Sequence, residues 1–452
     1  MKIAQAIQIT QGDVVAFVGG GGKTSAMFQL ARELPSAWRV LVTTTTRIFV
    51  AQIKQTSTWL THNSEEAFPD LLTRLEKRFA ISSQVLLIGH ADQTANKTCG
   101  IEPSLVDWLS ATGRFDAIIV EADGARMRPF KTPASYEPVI PTCATIVMPV
   151  IGLDVIGQPL HPDHVHRAEL VSQLTETPFN EPVSIQTVAQ VLSHAQGGLK
   201  NVPHQAKVIP LLNKVDGESD EPTTARLPVA RQLAREVLQA QRISAVAIGQ
   251  VRQANQPILE CHARIAAVIL AAGGSSRFDS PKQLALWQGQ SLLERAVETA
   301  LAASVDAVIV VLGAETMQSE QLLSDYPVQV VINHGWAKGQ SSSMQVGLTT
   351  LPKNINGVLF MLVDLPSVTP SIIDQLVTRY RQTLAPIVWP EFKGQRGNPV
   401  LFDRAMFAKL HTIQGDQGGR AIISTHQHVA ERVAVSHDGI LRDIDYPEDL
   451  ET

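Results

Sequence analysis

The sequence predicts an α/β protein of two domains, each a mainly parallel sheet sandwiched by helices. Three observations predict it. Apolar runs alternate with helical patterns along the whole chain. Those runs are continuous and β-branched, as expected of strands covered on both faces. Each half also opens on such a run followed at once by glycines: VVAFVGGGGKTS at 14–25 and VILAAGGSSRFDSPKQL at 268–284.

The elements follow in order. The first half predicts strands at 14–19, 38–46, 84–89, 116–123, 145–152, 207–216 and 243–249, with helices at 24–34, 103–111, 184–194 and 223–240. The second predicts strands at 265–273, 306–313, 327–333, 357–364 and 386–390, with helices at 290–303, 315–324, 340–350 and 370–382. Pro and Gly near 397–399 introduce a less regular part, and GILRDID (439–445) reads as a short last strand. The stretch VRQANQPILECHAR (251–264) breaks the alternation. We therefore expect domains at 1–255 and 263–452 with a linker between them.

With 452 residues the chain exceeds a single hydrophobic core. Its 44% hydrophobic and 18% charged residues exclude a disordered chain. A net charge of -5 gives no basic surplus for nucleic acid. Three cysteines, far apart and without CxxC spacing, fit a reducing cytoplasm. The polar start and the short apolar runs fit neither a signal peptide nor a membrane span.

The first glycine cluster has the parts of a P-loop. Gly20, Gly21 and Gly22 let backbone N–H groups approach phosphate oxygens, Lys23 reaches the terminal phosphates, and the Thr24 hydroxyl suits a metal. One position departs: the spacing asks for glycine where Phe17 stands. Glu121 and Asp123, at the end of the run DAIIVEAD, are both candidates to hold Mg²⁺. Asn213, Lys214 and Asp216 form an NKxD sequence after another buried run. Such a sequence suits a purine, the aspartate accepting from guanine N1 and N2, so GTP or ATP is expected here. Thr43 to Thr46 lie at a strand end, where they touch phosphate or metal or serve only as β-formers. His161, His164 and His166 fit no zinc spacing and read as a polar loop beside a cleft.

The ordered strings GGGGKT, TTTTRIF, EADGARMRPFKTP, EPVIP, VIGLDVIGQPL, HVHR and LLNKVD resemble the YqeC-type family over roughly residues 5–250. That family is described as accessory to selenium-dependent hydroxylases. The resemblance implies a P-loop NTPase-like domain, with no defined reaction.

The second cluster lacks a GK[ST] sequence. Leu270, Ala271, Ala272, Gly273 and Gly274 bring a strand to its ligand edge, Ser275 and Ser276 add donors, and Arg277 and Lys282 add charge for a triphosphate. The order A-A-G-x-S-x-R-x(4)-K resembles the MobA/MocA-like nucleotidyltransferases. The match continues across 265–450 through GQSSSMQVGL, LVDLP, RGNPVLF, GDQGGRAI and DIDYPEDL, with Gly419 where that family more often has alanine. The resemblance implies a Rossmann-like domain that transfers a nucleotide from an NTP to a phosphate. AAG at 271–273 points to the cytidylyltransferase branch and to CTP as substrate.

On that basis Asp364 binds Mg²⁺, with Asp445 as a second contact. Arg277, Lys282 and Asp364 are the catalytic set. Ser341, Ser342, Ser343 and Asn398 are expected at the acceptor, with His334 and Trp336 lining it. The expected acceptor is molybdopterin or the molybdenum cofactor, and a molybdenum hydroxylase apoenzyme is the expected protein partner. GTP, a sugar phosphate acceptor, and a nucleotide-gated delivery protein stay open as alternatives.

Overall fold

The computed structural model describes residues 1–53, 55–92, 97–216, 226–274, 278, 281–313 and 316–451. They form two compact units, Met1–His262 and Ala263–Thr452. Among the described residues no helix is long and apolar enough to cross a membrane.

In the first unit the glycine-loop strand, Asp13–Gly19, lies inside a large sheet. In order across it run Ile258–Ala263, Ala245–Gly249, Leu211–Asn213, Ile146–Gly152, Asp13–Gly19, Ala117–Glu121, Val40–Thr44, Gln84–Ile88 and Trp59–Thr61. From Ala245–Gly249 to Trp59–Thr61 every neighbouring pair is parallel. Val14, Ala16 and Val18 join one core with Leu41, Val85 and Val120, and the intervening Val15 and Phe17 are also fully buried. This explains the continuous apolar run, since period two serves two buried faces. Burying each such Val or Phe stabilises by about 1.5–3 kcal/mol. Phe17 lies wholly within the strand, so the loop proper is only the four glycines before helix Lys23–Glu33. Parallel pairing brings the ends of three strands, at Gly19, Glu121 and Asn213, to one sheet edge.

The expected linker at 255–263 is instead largely a strand. Ile258–Ala263 closes one edge of the first sheet, and Arg264 alone separates it from strand Ile265–Ala271. Its apolar residues Ile258, Cys261 and Ala263 are buried; Pro257 and the polar residues around it obscured that pattern. Helices Phe68–Phe79 and Ala168–Thr175 were not anticipated. Each fully buries only two side chains, so its periodic signal is thin.

The second sheet runs Gln329–Ile332, Ala307–Leu312, Ile265–Ala271, Gly357–Leu362, Val400–Asp403, Ile387–Phe392 and Gln395–Arg396. Its first four strands are parallel. Val400–Asp403 is antiparallel to both neighbours, and Glu431–Ala434 pairs parallel to Ile387–Phe392. Ile265, Ala267, Ile269 and Ala271 face one core; Val268, Leu270 and Ala272 face another.

The expected last strand at 439–445 is absent. Asp438–Ile440 forms a short 3-10 turn and the chain then runs as coil to Asp445. Ile440 and Ile444 are buried, which imitates a strand in sequence. The Ile444 N–H donates to the Asp364 carbonyl at 2.9 Å, while Asp449 Oδ2 accepts from the N–H groups of Asp445 and Tyr446 at 2.9 and 2.8 Å. Those bonds hold the segment as a turn and leave it no strand partner.

Candidate functional site

In the first unit Gly19, Gly21 and Gly22 have φ of 91°, 69° and 126°, conformations that only glycine adopts without strain. A Cβ on Gly20 would lie 2.6 Å from the Arg128 carbonyl. The amides are engaged within the chain. Gly19 N–H donates to Asp123 Oδ2 at 2.9 Å, Gly20 to the Val150 carbonyl at 2.8 Å, and Gly21 to the Arg128 carbonyl at 3.1 Å. The expectation that this loop simply presents its N–H groups to phosphate therefore needs correcting for Gly20 and Gly21. The loop lies folded against two neighbouring segments. One of them turns at Arg126 and Met127, both with positive φ (47° and 63°), closed by the Arg128 N–H on the Ala125 carbonyl at 2.9 Å. Two consecutive non-glycine residues there are strained.

Lys23 is buried, with Nζ 2.6 Å from the Gly19 carbonyl and 3.2 Å from Asp123 Oδ1. The Thr24 hydroxyl donates to Glu121 Oε2 at 2.6 Å. Burial raises the pKa of Glu121, against the pull of Lys23 and Thr24. Thr24 and Glu121 thus form an oxygen pair that suits a hard cation. Asp123 is committed elsewhere, to Lys23, to the Gly19 amide and to Lys131 Nζ at 3.0 Å. Glu121 faces the Thr24 hydroxyl, and the buried Asp123 Oδ1 makes no hydrogen bond among the described residues.

Asn213 ties the NKxD segment to the glycine loop. Its Nδ2 donates to the Gly21 carbonyl at 2.7 Å and its Oδ1 accepts from the Val251 N–H at 3.0 Å. Lys214 Nζ lies 2.6 Å from Asp154 Oδ2, and Asp216, half-buried, follows. The threonines face inward: Thr43 Oγ1 donates to the Leu87 carbonyl at 2.8 Å and Thr44 Oγ1 to the Glu121 carbonyl at 3.0 Å.

Sequence reasoning missed the ion network behind Lys23. Lys131, 1% exposed at its side chain, places Nζ 2.7 Å from the Gly124 carbonyl and 2.6 Å from Glu137 Oε2, in addition to Asp123. Arg167 Nη1 lies 2.6 Å from the same Glu137 oxygen and its guanidinium covers the Tyr136 ring. His166, beside these cations, is lowered to about 4, first by burial and then by Arg167 and Lys131. Among the described residues no group of three or more His, Cys, Asp or Glu is arranged to hold a metal, the histidines at 161, 164 and 166 included.

Burial alone would raise Glu137, but the hydrogen bonds from Arg167 and Lys131 overcome it and hold the carboxyl at about 2 against an ordinary 4.5. A carboxyl depressed in the folded state contributes stability that is complete above its unfolded pKa and is lost as pH falls through the folded one. The first unit should lose stability between pH 4.5 and about 2. Denaturant titrations across that window should show a shallower pH slope for Glu137→Gln; an unchanged slope would exclude this carboxyl as a source.

In the second unit a cleft of about 530 Å³ opens at the carboxyl edge of the sheet. Leu270, Ala271, Ala272, Gly273, Gly274, Lys282 and Asp364 line it, with Asp445, Trp336 and Ser343. Ser275, Ser276 and Arg277 lie outside the described residues. Lys282 Nζ stands 2.9 Å from Asp364 Oδ2 and 3.4 Å from Asp445 Oδ1. Asp364 falls two residues beyond the end of strand Gly357–Leu362, and its buried Oδ1 has no hydrogen-bond partner among the described residues. Two carboxylates with an orphaned oxygen fit a hard divalent cation.

The acceptor set divides. Ser343 lines the cleft, but its Oγ accepts from Asn333 Nδ2 at 2.9 Å. Ser342 Oγ accepts from the same amide at 2.8 Å and bonds the Gly339 carbonyl at 2.8 Å, and Ser341 is buried. The Ser342 and Ser343 hydroxyls bond within the start of helix Gln340–Thr350 and its neighbour Asn333, and so are not the open anion site expected of them. Asn398 is not among the lining residues; its N–H donates to the Ile440 carbonyl at 3.1 Å. The reading missed Asp416, which lines the cleft and whose Oδ1 accepts from the Gln340 N–H at 3.2 Å. That contact spans 76 residues, and only the GDQGG string hinted at a built turn.

The second unit is of the nucleotidyltransferase class: the family model described as MobA-like NTP transferase domain matches residues 267–430. The model described as YqeC protein matches residues 15–169, and the chain belongs to the YqeC family, extended by that transferase domain. It is 31% identical over 203 residues to "Uncharacterized protein YqeC" of Escherichia coli (strain K12), covering 44% of this chain and 75% of that protein. "Nicotine blue oxidoreductase" of Paenarthrobacter nicotinovorans is 27% identical over 193 residues, 41% of this chain and 94% of that one. "Purine catabolism protein PucB" of Bacillus subtilis (strain 168) is 28% identical over 193 residues, 41% and 93%. Among solved structures, Rv0371c of Mycobacterium tuberculosis H37Rv is 26% identical and covers 42% of this chain and 99% of that chain, at a TM-score of 0.39.

Proposed function

We propose that the second unit moves CMP from CTP onto the terminal phosphate of molybdopterin or the molybdenum cofactor, releasing pyrophosphate. The first unit serves as an accessory nucleotide-binding domain in the maturation of a molybdenum hydroxylase. The observation that carries the transfer reading is the Asp364–Lys282–Asp445 group beside the LAAGG loop. Asp364 and Asp445 hold Mg²⁺ there, which supplies charge neutralisation at the transferred phosphoryl group. The acceptor phosphate oxygen bonds to the α-phosphorus of CTP, and the bond from that phosphorus to the β-bridging oxygen breaks. Lys282, released from the carboxylates, faces the departing pyrophosphate, with Arg277 as its partner. The missing side chain at Gly273, with no atom within 4 Å of where its Cβ would be, lets the triphosphate lie close to the sheet edge. Positioning two bound substrates supplies much of the remaining barrier reduction.

The test is purified protein with molybdopterin, Mg²⁺ and each NTP in turn, followed for pyrophosphate. CTP is the expected donor; preference for GTP would overturn the assignment of the nucleotide. In the first unit, the loop ahead of Thr24 takes the phosphates only once the Val150 and Arg128 carbonyls leave the Gly20 and Gly21 amides, Thr24 and Glu121 would hold Mg²⁺, and the Asn213–Asp216 segment takes the base of GTP or ATP. Lys23→Ala should abolish nucleotide binding there, measured by calorimetry, while pyrophosphate release in the second unit persists. Loss of both activities would contradict the separation of roles.

A further inference from the structure

Asp416 has no part in the transfer just described, yet its carboxylate lines the same cleft. A third acid in a cleft that receives two phosphorylated substrates opposes them unless it faces hydrogen-bond donors. Asp416 is not grouped with Asp364 and Asp445 as a cation site among the described residues. It is held in place from both sides. Gly415 and Gly418, with φ of 68° and 50°, shape its turn, and Oδ1 is fixed by the Gln340 N–H. Gly339 is so close to Oδ1 that a Cβ there would collide with it. Three residues before Gly339, Trp336 forms the adjoining wall. Its Cβ lies against Gly313, its ring edge rests where a Cβ on Gly274 would come within 2.6 Å, and it is 37% exposed. The indole thus packs one ring edge on Gly274 and stays partly open to the cleft.

An aromatic wall beside a carboxylate reads a flat heterocycle with two adjacent donors. The indole supplies stacking, and the carboxylate accepts from two parallel N–H groups. A 2-amino-4-oxo pyrimidine ring fused in a pterin presents such an edge, N3–H beside the 2-amino group. Cytosine presents a donor next to an acceptor and leaves one carboxylate oxygen facing a lone pair; a guanine base would present the same two donors as the pterin, and the KM of the nucleotide separates the two. We infer that Asp416, with Trp336 as its stacking partner, selects the acceptor of the transferase by its 2-amino-4-oxo ring. This rests on the molybdopterin reading above and names the group that enforces it.

Asp416→Asn tests it. The asparagine oxygen keeps the Gln340 contact, so the helix start is preserved, while its amide meets the ring as a donor. In the full-length protein, calorimetry with pterin and with lumazine, which carries oxygen in place of the 2-amino group, should show at least a tenfold preference for pterin. Asp416→Asn should erase that preference and raise KM for molybdopterin at least tenfold, with KM for CTP and the melting temperature unchanged. Equal binding of the two rings by the unaltered protein, binding of neither, or a preference that survives Asp416→Asn would overturn the inference. So would a rise in KM for the nucleotide in place of the acceptor. Failure of the molybdopterin reading has a different signature: no pyrophosphate from any NTP, while the ring preference still answers for Asp416.

Discussion

Asp364→Ala should lower pyrophosphate release by about a thousandfold, equivalent to about 4 kcal/mol of transition-state stabilisation. The carboxylate sits beside Lys282 at the edge of the cleft, with one oxygen on the lysine and the other without a hydrogen-bond partner among the described residues. Removing it takes away the proposed cation ligand and also one of the two carboxylates that pair with Lys282 Nζ. The fold should hardly register the change. The side chain is 25% exposed, and half-exposed ion pairs contribute at most about 1 kcal/mol. The informative result is thus a melting curve that stays in place while turnover collapses. Asp364→Asn, which keeps shape and loses charge, should fall nearly as far. Turnover that survives either substitution would remove Asp364 from the reaction.

Lys131→Met should destabilise the first unit by about 3–5 kcal/mol. The methionine fills most of the space but leaves Asp123 and Glu137 facing each other without the cation between them. Glu137 retains Arg167 and Asp123 retains Lys23, so the loss is partial for each acid. At about 2–4 °C per kcal/mol for a unit of this size, its calorimetric transition should move down by about 10 °C. A shift below about 2 °C would mean that the network is fully compensated by its remaining members. Lys131→Arg should not restore the loss, because a planar fork cannot point one group at three acceptors as an ammonium does.

Much of the architecture was legible because buried parallel strands require uninterrupted apolar runs. Ile265–Ala271 and Asp13–Gly19 read as strands for that reason alone. Strand Val400–Asp403 was seen only as an irregular region, since the turn at Lys393–Gly394 and cis Asn398–Pro399 surround it with loop-like residues. The strand expected at 439–445 failed for the opposite reason. Two buried isoleucines imitate a strand, whereas the bonds to the Asp364 carbonyl and the Asp449 carboxylate hold the backbone in a turn. The site followed the same division. The loop glycines, Lys23 and Lys282 stand in short local strings, and Asp364 was reached through the resemblance carried by LVDLP. Asp416 and Lys131 do not, because their partners come from distant segments. The serines of 341–343 looked open because sequence does not reveal Asn333, whose amide bonds two of them.

The Val150 and Arg128 carbonyls on the glycine loop have a thermodynamic corollary. A phosphate that takes the Gly20 and Gly21 amides must first displace two peptide acceptors already seated there. Anion and carbonyl then compete for the same donors, and linkage makes the competition reciprocal: whatever steadies the Arg126–Pro129 segment weakens the anion by the factor with which the anion loosens that segment. The strain at Arg126 and Met127 sets the seated state higher in energy than an unstrained turn would. A phosphate at the proposed site would therefore exchange with carbonyls already seated there, and its apparent affinity would report the difference between two ligands, one of them the protein itself.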